Sequence, residues 1–108
     1  MSLSNSEAKL YDALAAVMQT DHLAMDGEPE EGAVYRYAGE EPTYESNIPI
    51  MVHDAFEVRV YQREYDYTRV QACRNALTNA GFFVRPATSE SMENGYYRSS
   101  FTARIRRD

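Results

Sequence analysis

Between residues 50 and 61 the chain alternates. Ile50, Val52, Phe56, Val58 and Val60 share one side; Met51, His53, Glu57, Arg59 and Tyr61 share the other. A period of two marks a half-buried strand. Asp54 interrupts the apolar side, which points to a bulge there or to a regular strand starting near Ala55. The period then changes. Val70, Cys73, Ala76, Leu77 and Ala80 form a helical stripe over residues 67–80, with Asp66 placed as N-cap and Gly81 placed to end the helix. Near the start, Ser4-Asn5-Ser6-Glu7 has the form of a capping box with Ser4 as N-cap. Leu10, Leu14, Val17 and Met18 follow at helical spacing, flanked by Tyr11, so a first amphipathic helix is expected to about Gln19. Met1 to Leu3 is expected to lie outside the fold.

Three further strands are predicted. Residues 33–38 oppose Val34 to Tyr35 and Tyr37, and residues 82–87 are short and apolar. In residues 96–107, Tyr97, Ser99, Phe101, Ala103 and Ile105 oppose Tyr96, Arg98, Ser100, Thr102, Arg104 and Arg106. The connections read as an acidic loop over 21–32, a long polar loop over 39–49 and a turn region over 88–95 that ends in the hairpin signal Asn94-Gly95. The order α-β-β-α-β-β predicts a single α+β domain: a mainly antiparallel sheet with two helices packed on one face.

Composition narrows the class. A chain of 108 residues with 44% hydrophobic residues is one globular domain. No apolar run reaches the roughly 20 residues of a membrane span, so no membrane partner is expected. The single Cys73 cannot form an internal disulfide, which suits a cytosolic setting. Net charge is -6, against specific nucleic-acid binding, which needs a basic surface. The charge is uneven: residues 1–57 hold 12 acids and 2 bases, residues 58–108 hold 5 acids and 9 bases. Such a two-signed molecule is suited to head-to-tail association, unless the fold interleaves the halves. The single Lys against ten Arg has an interface reading and a genomic one.

Motifs for chemistry are absent. The acidic loop lacks the ligand spacing of a calcium loop. His53-Asp54 lacks the further histidines of a metal phosphohydrolase, and Cys73 lies on a core stripe with no His nearby in sequence. No nucleophile elbow or phosphate loop occurs. Catalytic, metal and cofactor sites are therefore all expected to be none. The polar faces say more. Arg59 and Tyr61 on one strand, and Tyr96, Arg98, Arg104 and Arg106 on the last, are the residue types that dominate association surfaces. With Tyr35, Tyr37, Glu40, Glu41, Tyr44 and Glu45 they make the expected interface.

These features resemble the tail-terminator, or tail-completion, proteins of long-tailed bacteriophages and prophages. The resemblance is one of layout. It runs through Leu14-Ala15-Ala16-Val17-Met18, Ala33-Val34-Tyr35-Arg36-Tyr37, Phe56-Glu57-Val58-Arg59-Val60-Tyr61, Ala76-Leu77-Thr78-Asn79-Ala80-Gly81-Phe82 and Gly95-Tyr96-Tyr97 to Ile105. It implies a structural, non-catalytic role: a ring of copies of itself, usually six, on the head-proximal end of the tail. Its implied partners are the tail-tube protein and the head-connector protein. The implied location is the bacterial cytoplasm during assembly and then the virion neck. The loop over 39–49 falls where that family has a flexible loop. The acidic segment 26–31 departs from the family pattern. Two rivals stand beside this reading: another head–tail joining protein, and a ferredoxin-like small-molecule-binding domain, which would need a strand before the first helix.

Overall fold

Among the described residues two helices and six strands follow one another as α1 (Leu3–Ala15), β1 (Thr20–His22), β2 (Gly32–Glu45), β3 (Ile48–Gln62), α2 (Tyr67–Asn79), β4 (Phe83–Val84), β5 (Thr88–Ser91) and β6 (Tyr97–Arg106). The structure is a computed structural model and describes residues 3–22, 31–45 and 48–106, with side chains described outside positions 3, 4, 21, 22, 41–45 and 48–51. The strands form one sheet in the order β1-β2-β3-β6-β4, with β5 also pairing β6. Only β1 is parallel to its neighbour; the remaining pairs are antiparallel. The fold is α+β, as the alternation and helical stripes imply.

The inner face of the sheet is the one that the helices cover. Phe56, Val58 and Val60 of β3 face it with Ala33 and Tyr35 of β2 and Phe101, Ala103 and Ile105 of β6. Leu10 and Leu14 of α1 and Val70, Cys73 and Leu77 of α2 complete the core. Phe56 stands at its centre, in edge contact with the rings of Tyr37 at 5.5 Å, Phe82 at 6.4 Å and Tyr35 at 6.5 Å. Edge-to-face rings add to area burial because the positive edge of one meets the negative face of the other.

Local signals set the ends of α2. The Asp66 carboxylate accepts from the Arg69 backbone N–H at 3.3 Å. At the other end Gly81, at φ +101°, lets its N–H reach the Thr78 carbonyl and the Phe82 N–H reach the Leu77 carbonyl. That is a left-handed stop, which a side chain at Gly81 would strain. Gly32 is required for a different reason. A Cβ there would lie 2.8 Å from the Gln19 carbonyl oxygen, where β1 enters the sheet.

Several sequence expectations need correcting. α1 already includes Leu3, expected outside the fold, and Ser4, expected as its cap, and it ends at Ala15, short of Gln19. Glu7 does not fold back on a cap; it accepts a hydrogen bond from the Tyr35 hydroxyl at 3.0 Å. Leu10, Leu14 and Met18 still enter the core, the last from a turn beyond the helix. Part of the acidic loop is strand, because β1 pairs Thr20, Asp21 and His22 with Ala33, Val34 and Tyr35 and Gly32 opens β2; residues 23–30 lie outside the described residues. β5 occupies half of the expected turn region, and only Met92 to Tyr96 makes the turn. β4 is two residues long.

The largest correction concerns residues 39–49. Residues 39–45 and 48–49 are strand, not loop: β2 continues to Glu45 and pairs with β3 down to Glu45↔Ile48, while 46 and 47 lie outside the described residues. β1 stops opposite Tyr35 and β6 stops opposite His53. Beyond those points the β2–β3 ladder is a two-stranded arm among the described residues. The 15 residues of β3, at about 3.3 Å each, run nearly the full 48 Å length of the molecule.

Asp54 lies in regular register, opposite Glu40 and Ile105; the irregularity is across from it, between Tyr37 and Gly39 of β2. Its carboxylate is fully buried on the inner face. The Ser6 hydroxyl donates to it at 3.0 Å and the Tyr37 hydroxyl at 3.1 Å. A buried carboxylate needs such donors. These tie the start of α1 and the root of the arm to the central strand.

Candidate interaction surface

The same strands that build the core place alternate residues on the outer face. There β3 presents His53, Ala55, Glu57, Arg59 and Tyr61, and β6 presents Arg98, Ser100, Thr102, Arg104 and Arg106. β4 adds Phe83, β5 adds Glu90 and β2 adds Arg36. Among the described residues no helix packs on this side.

Charge runs across it as a ladder. Glu57 takes Arg36 at 2.6 Å and Arg59 at 2.8 Å on its two oxygens. Burial works against the Glu57 carboxylate, but the hydrogen bonds from both arginines outweigh it and hold its pKa below the ordinary value. Burial likewise works against the charged Arg59, and contacts with Tyr61 and Glu57 overcome it. Tyr61 also interacts with Arg98, whose guanidinium bonds and ion-pairs with Glu90. Toward the arm the face becomes aromatic and basic. Phe83 is 59% exposed, with the Arg104 guanidinium 5.6 Å from its ring centre and the His53 ring 6.0 Å away. His53 is itself buried, and its Nδ1 has no hydrogen-bond partner among the described residues.

The residues expected at an interface divide into groups. Arg59, Tyr61, Arg98, Arg104 and Arg106 do share the outer face. Tyr96 lies just before β6 rather than on it, at the end away from the arm, where its hydroxyl accepts from Arg63 at 2.9 Å. Tyr35 and Tyr37 belong to the inner face; Tyr35 is a core residue, and burial with the Glu7 contact raises its hydroxyl pKa to about 12. Glu40 is exposed at the root of the arm. Glu41, Tyr44 and Glu45 lie along the arm's backbone, with their side chains outside the described set. Sequence reasoning left out Phe83, Arg36, Glu57 and Glu90. Arg36 was findable, since it alternates with Tyr35 and Tyr37. A second aromatic group was also missed: Tyr65 and Tyr97, rings 5.9 Å apart, stand near Tyr96 at the end opposite the arm. Among the described residues no cluster of His, Cys, Asp and Glu could hold a metal, and no helix is long and apolar enough to cross a membrane.

No family model matches this chain, and no curated protein matches it. A solved structure does. It is a chain of the assembly described as "Virion of native gene transfer agent (GTA) particle", 16% identical, with a TM-score of 0.53 over 97% of this chain and 98% of that one. At that identity the likeness is one of fold, and it extends end to end.

Proposed function

We propose that this protein is a structural component of a phage-type particle: a tail-completion protein that forms a ring on the head-proximal end of the tail tube, stops its growth and receives the head connector. The observation that carries this reading is the end-to-end likeness to a chain of a gene transfer agent virion. The resemblance in sequence layout to tail terminators agrees with it. So does the architecture, which spends an open sheet face and a two-stranded arm on surface. Ring formation suits a subunit whose contacts are heterologous and close by rotation. The mechanism is then recognition in layers, subunit to subunit and ring to tube, with no bond made or broken.

The test is to add the purified chain to its cognate tail-tube protein during polymerisation and to measure tube lengths by electron microscopy. Shorter, capped tubes are expected, with the chain at one end only. Tubes of unchanged length and no terminal density would refute the role. Binding to the connector protein without any effect on tube length would move the assignment to a neighbouring neck protein.

A further inference from the structure

The sheet narrows within a few rows of residues. β1 ends opposite Tyr35 and β6 ends opposite His53. The β2–β3 arm continues from there, and among the described residues no third strand accompanies it. On the helix side of β3 the cover stops at the same place. Asp54 is fully buried, while Val52, the next residue on that side, is only half-buried. Across from this row β2 is irregular between Tyr37 and Gly39, and Gly39 stands at φ +119°. An irregularity of this kind bends a strand and increases its twist. A two-stranded ribbon has little beyond its own ladder to hold it, so the arm's direction is set at this root.

The group placed at the root is a carboxylate. An apolar residue of similar volume would avoid the desolvation of a buried charge, and such replacements are often neutral or stabilising. What the carboxylate adds is direction. Its Oδ2 accepts from the Ser6 hydroxyl at 3.0 Å and its Oδ1 accepts from the Tyr37 hydroxyl at 3.1 Å. Ser6 belongs to α1 and is itself fully buried. Tyr37 is the last paired residue of β2 before the irregularity. One side chain of the central strand therefore holds the helix layer on one oxygen and the bent strand on the other. Apolar packing tolerates small slides, whereas hydrogen bonds weaken steeply away from their preferred angles.

We infer that Asp54 is a positioning residue: bridging Ser6 and Tyr37, it sets the direction in which the arm leaves the body and meets a neighbouring molecule. The effect on the arm rests on the fold alone; its use in capping a tube rests on the tail-completion reading above.

The experiment measures the arm's direction by pulsed electron spin resonance in the full chain. Spin labels are placed at Thr43→Cys on the arm and Asn79→Cys at the end of α2, in a Cys73→Ala background, and the labelled chain is diluted with unlabelled chain. Ser6→Ala, Tyr37→Phe and Asp54→Leu are combined, so that the bridge is lost without leaving one of its three members unpaired. Circular dichroism and melting confirm folding; Ser6→Ala alone, which cuts only the link to α1, is read in the same way should the triple form not fold. The unsubstituted bridge is expected to give one narrow distance, and the bridge-less forms a broadened or displaced one. Asp54→Asn is expected to restore the narrow distance, because an amide can accept from one hydroxyl and donate to the other. A folded bridge-less form with an unchanged distance would overturn the inference, as would an Asp54→Asn form displaced as far as the triple form. Apparent affinity falls with the fraction of molecules in the competent form, so the bridge-less form is also expected to cap tubes only at higher concentration. Capping at the wild-type concentration would overturn the arm's aim as a determinant of assembly. A wild type that caps no tube would refute tail completion and leave the distance result standing.

Discussion

The two faces of β3 differ by one residue's step along the chain and by most of their energetics. Phe56, Val58 and Val60 have no exposed surface. Glu57 and Arg59, between them, keep 24% and 28% of their side-chain area in water and pair with each other. Burying a large apolar side chain contributes about 1.5–3 kcal/mol, whereas a solvated ion pair contributes about 0–1 kcal/mol. The inner face therefore decides whether the chain folds. The outer face also buries Tyr61 and His53, but its solvated ion pairs add little to folding and are left to decide what the folded chain meets.

The comparison breaks most visibly at Phe56. Phe56→Ala empties the centre of three edge-to-face contacts. The expected loss is about 3–5 kcal/mol, read as the shift in a denaturant midpoint. A loss below about 1 kcal/mol would mean that the packing around Phe56 is not the core.

How much of this was legible follows from how local each signal is. Asp66 and Gly81 act within a turn of the helix they bound, so the limits of α2 could be read directly. The common face of Arg59, Tyr61, Arg98, Arg104 and Arg106 follows from period two and needed only the strands to exist. The arm was not legible, because Gly39, Glu40, Glu41 and Pro42 are poor strand formers. It forms because a cross-strand partner overrides propensity, and that partner is invisible in a local window. Asp54 failed for the same reason. Its donors Ser6 and Tyr37 stand 48 and 17 residues away, so a carboxylate on an apolar side read as a defect in the strand. Phe83 was left out because β4 is only two residues long, too short for alternation to assign a face.

A smaller effect comes from the inner face by way of pH. Cys73 is fully buried beneath α2, against the Met18 sulfur at 3.6 Å. Burial pushes its thiol from the ordinary 9.0 up to about 11, with Arg69 opposing weakly. A raised pKa means that stability is complete below the unfolded value and is lost as pH rises through the folded one. Wild type should therefore lose about 3 kcal/mol relative to Cys73→Ala between those limits. The difference between the two proteins is the quantity to follow, since Tyr35 titrates upward in the same direction. Parallel alkaline curves would show that the thiol is not sheltered by the core.

The smallest expected effect is on the outer face, at Glu57→Gln. The change removes the negative charge that Arg36 and Arg59 share, yet Arg36 is already 54% exposed and water takes over its solvation. Near neutral pH the loss should stay under about 1 kcal/mol. Its pH dependence has a defined sign. Glu57 has a lowered pKa, so its contribution is present above the ordinary carboxyl value and is lost as pH falls through the folded one. Wild type and variant should then unfold at the same denaturant concentration in strong acid and differ slightly at neutrality. If Glu57→Gln instead cost as much as Phe56→Ala, the outer face would be a second core, and its role as a free association surface would fail with it.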